Sequence, residues 1–182
     1  LWHVEKPARY IGGEFGVQSI ERTDDSVNWL LVYPDTYEIG LPNQGLQILY
    51  EILNERTDAT AERGYAPWSD FEALMREHGI PFFSVDELRP AREFDLIAFN
   101  PEPLADFVDA AVLGDGEEVV GDITEVVSRW KQDPARTREG LRRMLAAVDG
   151  VYVPALYEPV YRDGELVELA PIDDAVPRSV EK

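Results

Sequence analysis

The chain has 182 residues, 45% of them apolar, and a formal net charge of −19. That length suits one α/β domain with a sizeable core and a small appendage, and the charge argues against nucleic-acid phosphates and anionic lipid as direct partners. The sequence contains no cysteine, which excludes disulfides, zinc–thiolate sites and iron–sulfur clusters held by this chain alone.

Residues 1–25 read as an irregular lead-in. Within it Arg9-Tyr10-Ile11-Gly12-Gly13-Glu14 predicts a turn carried on two glycines. Val27 to Tyr33 has few charges and predicts a strand buried on both faces. The loop Pro34-Asp35-Thr36-Tyr37-Glu38-Ile39-Gly40 follows. Leu46, Leu49, Tyr50 and Leu53 then recur at helical spacing behind Asn43 as N-cap, predicting a helix over 43–53. A second strand is expected over Thr60 to Tyr65. Ser69-Asp70-Phe71-Glu72 reads as a capping box, opening a helix that Gly79 closes. His78 falls in its last turn, where an imidazolium suits the dipole. The two histidines, His3 and His78, lack metal-ligand spacing, so no metal site is expected.

Pro81 to Val85 reads as a short strand, and Phe94 to Phe99, with its continuous apolar run, as a central one. A helical piece over Leu104 to Val108, a strand over Ala110 to Leu113 and a helix over Glu118 to Lys131 come next. Asp133-Pro134 reads as the start of another helix, ending at Gly150. Alternation then shifts to period two. Strands are expected over 151–153 and 156–161, a hairpin turn at Arg162-Asp163-Gly164, and a return strand over 165–170. Pro171 to Lys182 reads as an exit tail. No apolar run is long enough for a bilayer and no signal-peptide pattern opens the chain, so the cytoplasm is the expected location.

Strand–helix alternation over 27–132 predicts a mostly parallel sheet with helices on both faces, plus a small C-terminal β-hairpin. Ligands of such sheets bind outside the carboxyl ends of the strands. Two loops are expected on that edge. The first, Asp35 to Gly40, reads D-x-Y-x-x-G. It matches the corrinoid-binding string D-x-H-x-x-G except that Tyr37 stands where a cobalt-ligating histidine would be. A phenol is a poor cobalt ligand, so packing or hydrogen bonding is the role expected of Tyr37. The same string serves equally as a strand-to-helix turn in which Asp35 and Gly40 answer to turn geometry. The second loop, Gly114-Asp115-Gly116-Glu117, presents backbone N–H groups at a helix start. It lacks the third glycine of a dinucleotide fingerprint, and it reads equally as a βα turn with Glu117 and Glu118 facing the helix dipole. No nucleophile–base pair stands out, so no catalytic residue is assigned. A phospho-receiver built on Asp35 lacks its further acidic pair and its lysine.

Taken in order, Val4 to Glu14, Tyr33 to Gly40, Leu49 to Asn54, Tyr65 to Glu72, Asn100 to Phe107, Gly114 to Glu118 and Gly150 to Pro154 resemble the N-terminal region of B12-binding-type radical SAM proteins. The flavour resembles actinobacterial members. The resemblance implies a Rossmann-like, flavodoxin-like cobalamin-binding-type domain over 1–150, and a hairpin with linker over 151–182 leading to a radical SAM domain. That domain would be the partner, and it would hold the [4Fe–4S] cluster and S-adenosylmethionine. The resemblance implies cobalamin held base-off without a histidine ligand, with Asp35, Tyr37, Glu38, Gly40, Gly45, Gly114, Asp115, Gly116 and Glu117 around it. It also implies that a family segment is absent near Asn100. The isolated chain is not expected to be catalytic. The alternative is a Rossmann-like scaffold or protein-interaction domain that has lost the ligand.

Overall fold

In the computed structural model, residues 4–14, 17, 22–23, 25–99, 108–162 and 164–180 are described. The chain divides into two compact units, residues 1–100 and 101–182.

The first unit is built on β1 (Val27–Tyr33), which lies between β2 (Ala59–Tyr65) and β3 (Leu96–Phe99) in a three-stranded parallel sheet of order β2-β1-β3. Register runs from Val27 opposite Ala59 to Tyr33 opposite Tyr65, and from Trp29 opposite Leu96 to Val32 opposite Phe99. Val27, Trp29, Leu30 and Leu31 are buried, as expected of a strand covered on both faces. Between β1 and β2 the chain makes the one-turn α1 (Tyr37–Gly40) and then α2 (Gln44–Asn54). The Asn43 side chain accepts from the Leu46 N–H and caps α2 as predicted, while Leu46, Tyr50 and Leu53 form its buried stripe.

β2 is buried along its whole length although Thr60, Glu62 and Arg63 interrupt it. Its outer edge is closed by groups that imitate a neighbouring strand. The Asn54 amide donates to the Ala61 carbonyl at 3.1 Å and accepts from the Ala61 N–H at 2.7 Å. Two residues on, Val85 donates its N–H to the Arg63 carbonyl, and Asp86 accepts from the Arg63 N–H. These contacts correct the strand expected over 81–85. That segment makes only an isolated bridge, Phe83 with Pro90, and seals β2 point by point.

α3 (Ser69–His78) ends on Gly79 in the left-handed conformation, φ 64°, as predicted. The capping box does not form, because Trp68 rather than Ser69 is the N-cap. Asp70 instead accepts from the Glu5 and Phe71 N–H groups, tying the lead-in to the helix. Tyr10 stacks on Phe71 at 4.2 Å, and its hydroxyl accepts from the Trp68 N–H. Val4, Tyr10, Phe71 and Met75 thereby form a satellite core. β3 is not central. Among the described residues it ends the sheet, and Ile97 is 49% exposed.

In the second unit the expected strand over 110–113 shortens to β4 (Ala111–Val112). It pairs antiparallel with β5 (Val151–Tyr152) rather than joining the parallel sheet. α4 (Gly116–Gln132) buries Val120, Ile123, Val126 and Val127. α5 (Arg138–Ala146) starts later than Pro134 predicts, because the Thr137 hydroxyl takes the Gly140 N–H and caps it there. β6 (Tyr157–Arg162) and β7 (Glu165–Pro171) form the predicted hairpin. The helical piece expected at Leu104 to Val108 lies outside the described residues, apart from Val108. Among the described residues no helix is long and apolar enough to cross a membrane.

The Asn54 clamp yields a stability prediction. Asn54→Ala leaves the Ala61 N–H and carbonyl unpaired at the edge of a buried strand and is expected to cost about 1–3 kcal/mol in urea unfolding. A change below ~0.5 kcal/mol would mean that water replaces the amide.

Candidate functional site

The D-x-Y-x-x-G loop leaves the carboxyl end of β1. Its path follows from short-range hydrogen bonds. The Ala66 N–H donates to the Asp35 carbonyl at 2.9 Å, so the β1–β2 contact continues past the strand ends. The Asp35 carboxylate accepts from the Thr36 N–H at 2.6 Å, an interaction within the loop. The Thr36 carbonyl accepts from the Ile39 and Gly40 N–H groups and closes α1.

Gly40 is needed for a close approach inside the unit. A Cβ built there would lie 2.5 Å from Cδ1 of Tyr65 and 3.0 Å from the Tyr33 Cβ. Tyr37 packs edge-on against the same Tyr65 ring at 5.3 Å. Its hydroxyl donates to the Glu14 carboxylate at 2.6 Å. Burial and that anionic neighbour raise the Tyr37 phenol far above the ordinary tyrosine value, so it stays protonated. Glu38 is exposed, and its carboxylate pairs with Arg9 at 2.8 Å and Lys6 at 3.2 Å; the Arg9 hydrogen bond holds it below the usual carboxylate range. Gly45 lies in the first turn of α2, where a Cβ would meet Asn43 at an ordinary 3.5 Å, so glycine is not required.

Behind the loop stands a group the sequence reading passed over. Arg63 on β2 is buried and reaches three ways. Its guanidinium donates to Asp86 at 2.6 Å and to Glu14, and it lies over the Tyr50 ring at 4.7 Å. Burial opposes the charge, but Asp86 and Glu14 outweigh it and hold Arg63 above its ordinary value. Glu14 therefore joins Arg63 to Tyr37. Burial pushes the phenols of Tyr50 and Tyr65 up to about 12. Among the described residues the buried Tyr65 hydroxyl has no hydrogen-bond partner. The cavity lined by Tyr10, Tyr65, Phe71, Met75, Phe82 and Phe83 measures about 10 Å³, room for one water.

Glu62, the preceding residue, points to the other face of β2. The Ser84 hydroxyl donates to it, and Arg89 pairs with it at 2.8 Å and Arg22 at 3.7 Å. Desolvation nevertheless raises the Glu62 carboxyl above its usual value. The clue available in the sequence was a Glu-Arg pair inside a short strand candidate, which has to find counter-charges if the strand is central.

The second loop belongs to the second unit and follows β4, which is not a strand of the parallel sheet. Strand order therefore does not put it on the edge that carries Asp35 to Gly40. Gly114 has φ 108°, a conformation that requires glycine. Asp115 is the N-cap of α4, Gly116 is its first residue, and Glu117 and Glu118 occupy its acidic first turn.

Two variants test the buried network. Arg63→Met strands the Asp86 carboxylate and is expected to cost about 3–5 kcal/mol in urea unfolding; a loss under ~1 kcal/mol would show that water already compensates Asp86. Tyr65→Phe removes a hydroxyl that has no partner and is expected to stabilise by about 1 kcal/mol. Because the folded pKa values of Tyr50 and Tyr65 exceed the ordinary 10.0, their contribution is complete below pH 10 and is lost as pH rises toward about 12. Tyr65→Phe is expected to shrink that alkaline loss. An unchanged slope between pH 10 and 12 would assign the loss elsewhere.

One family matches this chain, described as radical SAM proteins, N-terminal, over residues 45–100 and 97–154. The two stretches overlap over residues 97–100, at the end of β3. They include Gly45 and Gly114 to Glu117 but not Asp35 to Gly40. No curated protein and no solved structure matches the chain. With more than half of its residues matched, the chain belongs to the family of radical SAM N-terminal regions.

Proposed function

We propose that this module is a non-catalytic Rossmann-like scaffold of a radical SAM protein, whose loop at the carboxyl end of β1 is a structural corner. The observation that carries this reading is the use made of the signature residues. The Tyr65 ring occupies the space that the lack of a side chain at Gly40 leaves, and the Tyr37 hydroxyl is committed to Glu14. A corrin cradle calls for a glycine that opens backbone to the macrocycle, and this glycine opens onto a tyrosine of its own unit. The loop also offers no cobalt ligand, because Tyr37 is a protonated phenol bound to a carboxylate, and, as a separate matter, the chain has no cysteine for a cluster. The thiolates of a radical SAM cluster therefore come from outside these 182 residues. On this reading the module contributes shape and surface, while S-adenosylmethionine and the cluster belong to a separate domain.

A second reading keeps cobalamin, bound base-off and presented to that domain. What favours it is strand order. In β2-β1-β3 the sense of winding reverses at β1, and the Asp35 loop leaves the β1 carboxyl end at this switch point. In this case Tyr37 and Glu38 would form a wall beneath the macrocycle without ligating cobalt.

Titration of the purified chain with hydroxocobalamin and with methylcobalamin separates the two, read by the visible spectrum and by calorimetry. The scaffold reading expects no saturable binding. Saturable binding in the micromolar range, with a base-off spectrum that Tyr37→Phe leaves unchanged, would overturn it in favour of the second reading.

A further inference from the structure

Arg63 and Tyr65 are two residues apart on β2, so their side chains share one face of the strand. They lie toward the carboxyl end of the parallel sheet, the edge on which ligands of such sheets bind. Tyr65 is opposite Tyr33, the last residue of β1, and the Tyr37 ring meets it edge-on. Three donors thus gather at one place: the Arg63 guanidinium and the hydroxyls of Tyr37 and Tyr65. Two of them converge on the carboxylate of Glu14, Tyr37 on Oε1 and Arg63 on Oε2. The third has no acceptor among the described residues, although Tyr65 is only 5% exposed and feels the charges of Arg63, Asp86 and Glu14. A phenol buried in this way has lost its water without gaining a partner.

The two carboxylates on Arg63 are held differently. Asp86 accepts from the Arg63 backbone N–H with one oxygen and from the guanidinium with the other at 2.6 Å, and its side chain is 3% exposed. It neutralises Arg63 by itself, from the segment that also clamps β2. The Glu14 side chain is 19% exposed, the more accessible of the two. It follows Gly12 and Gly13, which have φ 59° and 78°. A Cβ at Gly12 would strike the Val85 carbonyl, whereas one at Gly13 would meet nothing within 4 Å. The lead-in is therefore packed as far as Gly12 and open immediately before Glu14. Its anchors, Tyr10 stacked on Phe71 and Arg9 paired with Glu38, lie before that point.

We infer that Arg63, Tyr37 and Tyr65 form a binding site for the carboxylate of a small external ligand, and that Glu14 fills this site as a tethered competitor. The inference goes beyond the scaffold reading and does not depend on it. Cobalamin binding concerns the Asp35 loop, whereas this site is built from the groups behind that loop. The ligand class follows from the donors. Two of them already bracket a carboxylate, each oxygen with its own partner, and an arginine held rigid in a strand suits that geometry. The tether keeps Glu14 at high local concentration, so an external carboxylate enters only when Glu14 swings out at Gly13. Asp86 stays in place, so the swing does not strand the guanidinium. The Tyr65 hydroxyl then supplies a further donor to a ligand that the lead-in does not constrain.

Sodium acetate is the probe, titrated at neutral pH into the 182-residue chain and its Glu14→Ala variant, with ionic strength held constant by sodium chloride. Glu14→Ala is expected to lower Tm by about 5 °C, and acetate at about tenfold its Kd to restore about 3 °C of that loss. Calorimetry is expected to show acetate binding about tenfold or more tighter to Glu14→Ala than to the wild type. In the Glu14→Ala background, Tyr37→Phe and Tyr65→Phe are each expected to weaken acetate about tenfold. Because Tyr65→Phe stabilises the unliganded chain, affinity lost there does not report a damaged fold. Acetate acting no more strongly than chloride would overturn the site. So would equal affinity in the wild type and Glu14→Ala, or an affinity that neither tyrosine change moves. If Glu14→Ala does not fold, Glu14→Gln, which keeps an uncharged acceptor for Tyr37, carries the same expectations and the same overturning results. The cobalamin titration is read separately, so failure of one reading leaves the other standing.

Discussion

A buried guanidinium imposes most of the local order in the first unit. Arg63 sits in a strand with no exposed residue, where an uncompensated charge is prohibitive. It is tolerated because Asp86 and Glu14 come to it, and they come from segments that are neither strand nor long helix. The segment around Asp86 must lie along the outer edge of β2, and the lead-in must turn back far enough to deliver Glu14. Gly12 makes that turn possible. With φ 59°, it leaves so little room that a Cβ would meet the Val85 carbonyl. Glu14 then accepts from Tyr37, so the charge on β2 also determines where the loop after β1 rests.

The same economy closes one edge of the sheet and leaves the other different in kind. Among the described residues β2 has no strand on its outer side, yet Asn54, Val85 and Asp86 meet its outward N–H and carbonyl groups one by one. Side-chain amides and carboxylates can do this only at fixed positions, which is why the 80s segment looks like a strand in composition and behaves as a set of clamps. β3 has an apolar run typical of a central strand, while Ile97 is about half exposed. The family match breaks into two stretches at this strand.

Features written in local chemistry were legible from the sequence. The spacing of Leu46, Tyr50 and Leu53 with Asn43 ahead of it located α2, and Gly79 located the end of α3. The alternation after residue 151 located the hairpin. Features decided by distant partners were not. Ser69 met the capping-box pattern, but the lead-in placed Glu5 where Asp70 could bind it, and the helix began around Trp68 instead. Pro134 fits a helix start, yet the Thr137 hydroxyl supplied a better cap three residues on. Position 111 was readable as a strand, but its antiparallel partner lay some 40 residues away. At the site, the motif located the loop correctly. Its supporting cluster joins Glu14, Arg63 and Asp86, which no local pattern connects.

This bears on how a short signature should be weighed. Asp35, Tyr37 and Gly40 stand at corrinoid-motif spacing, yet each has an internal reason to be what it is: a turn carboxylate, a phenol for Glu14, and a gap for Tyr65. A string retained for packing and one retained for a ligand are identical in sequence; only the contacts of the side chains separate them. The contacts at the loop turn inward. In the first unit, polar groups are consumed in holding β2 and the lead-in together, with a cavity no larger than one water beside Tyr65. In the second, the hairpin leaves Tyr161, Leu166 and Leu169 exposed. Burying a charge and leaving tyrosine and leucine in water both cost free energy, and the first is offset inside the unit, by Asp86 and Glu14 on Arg63.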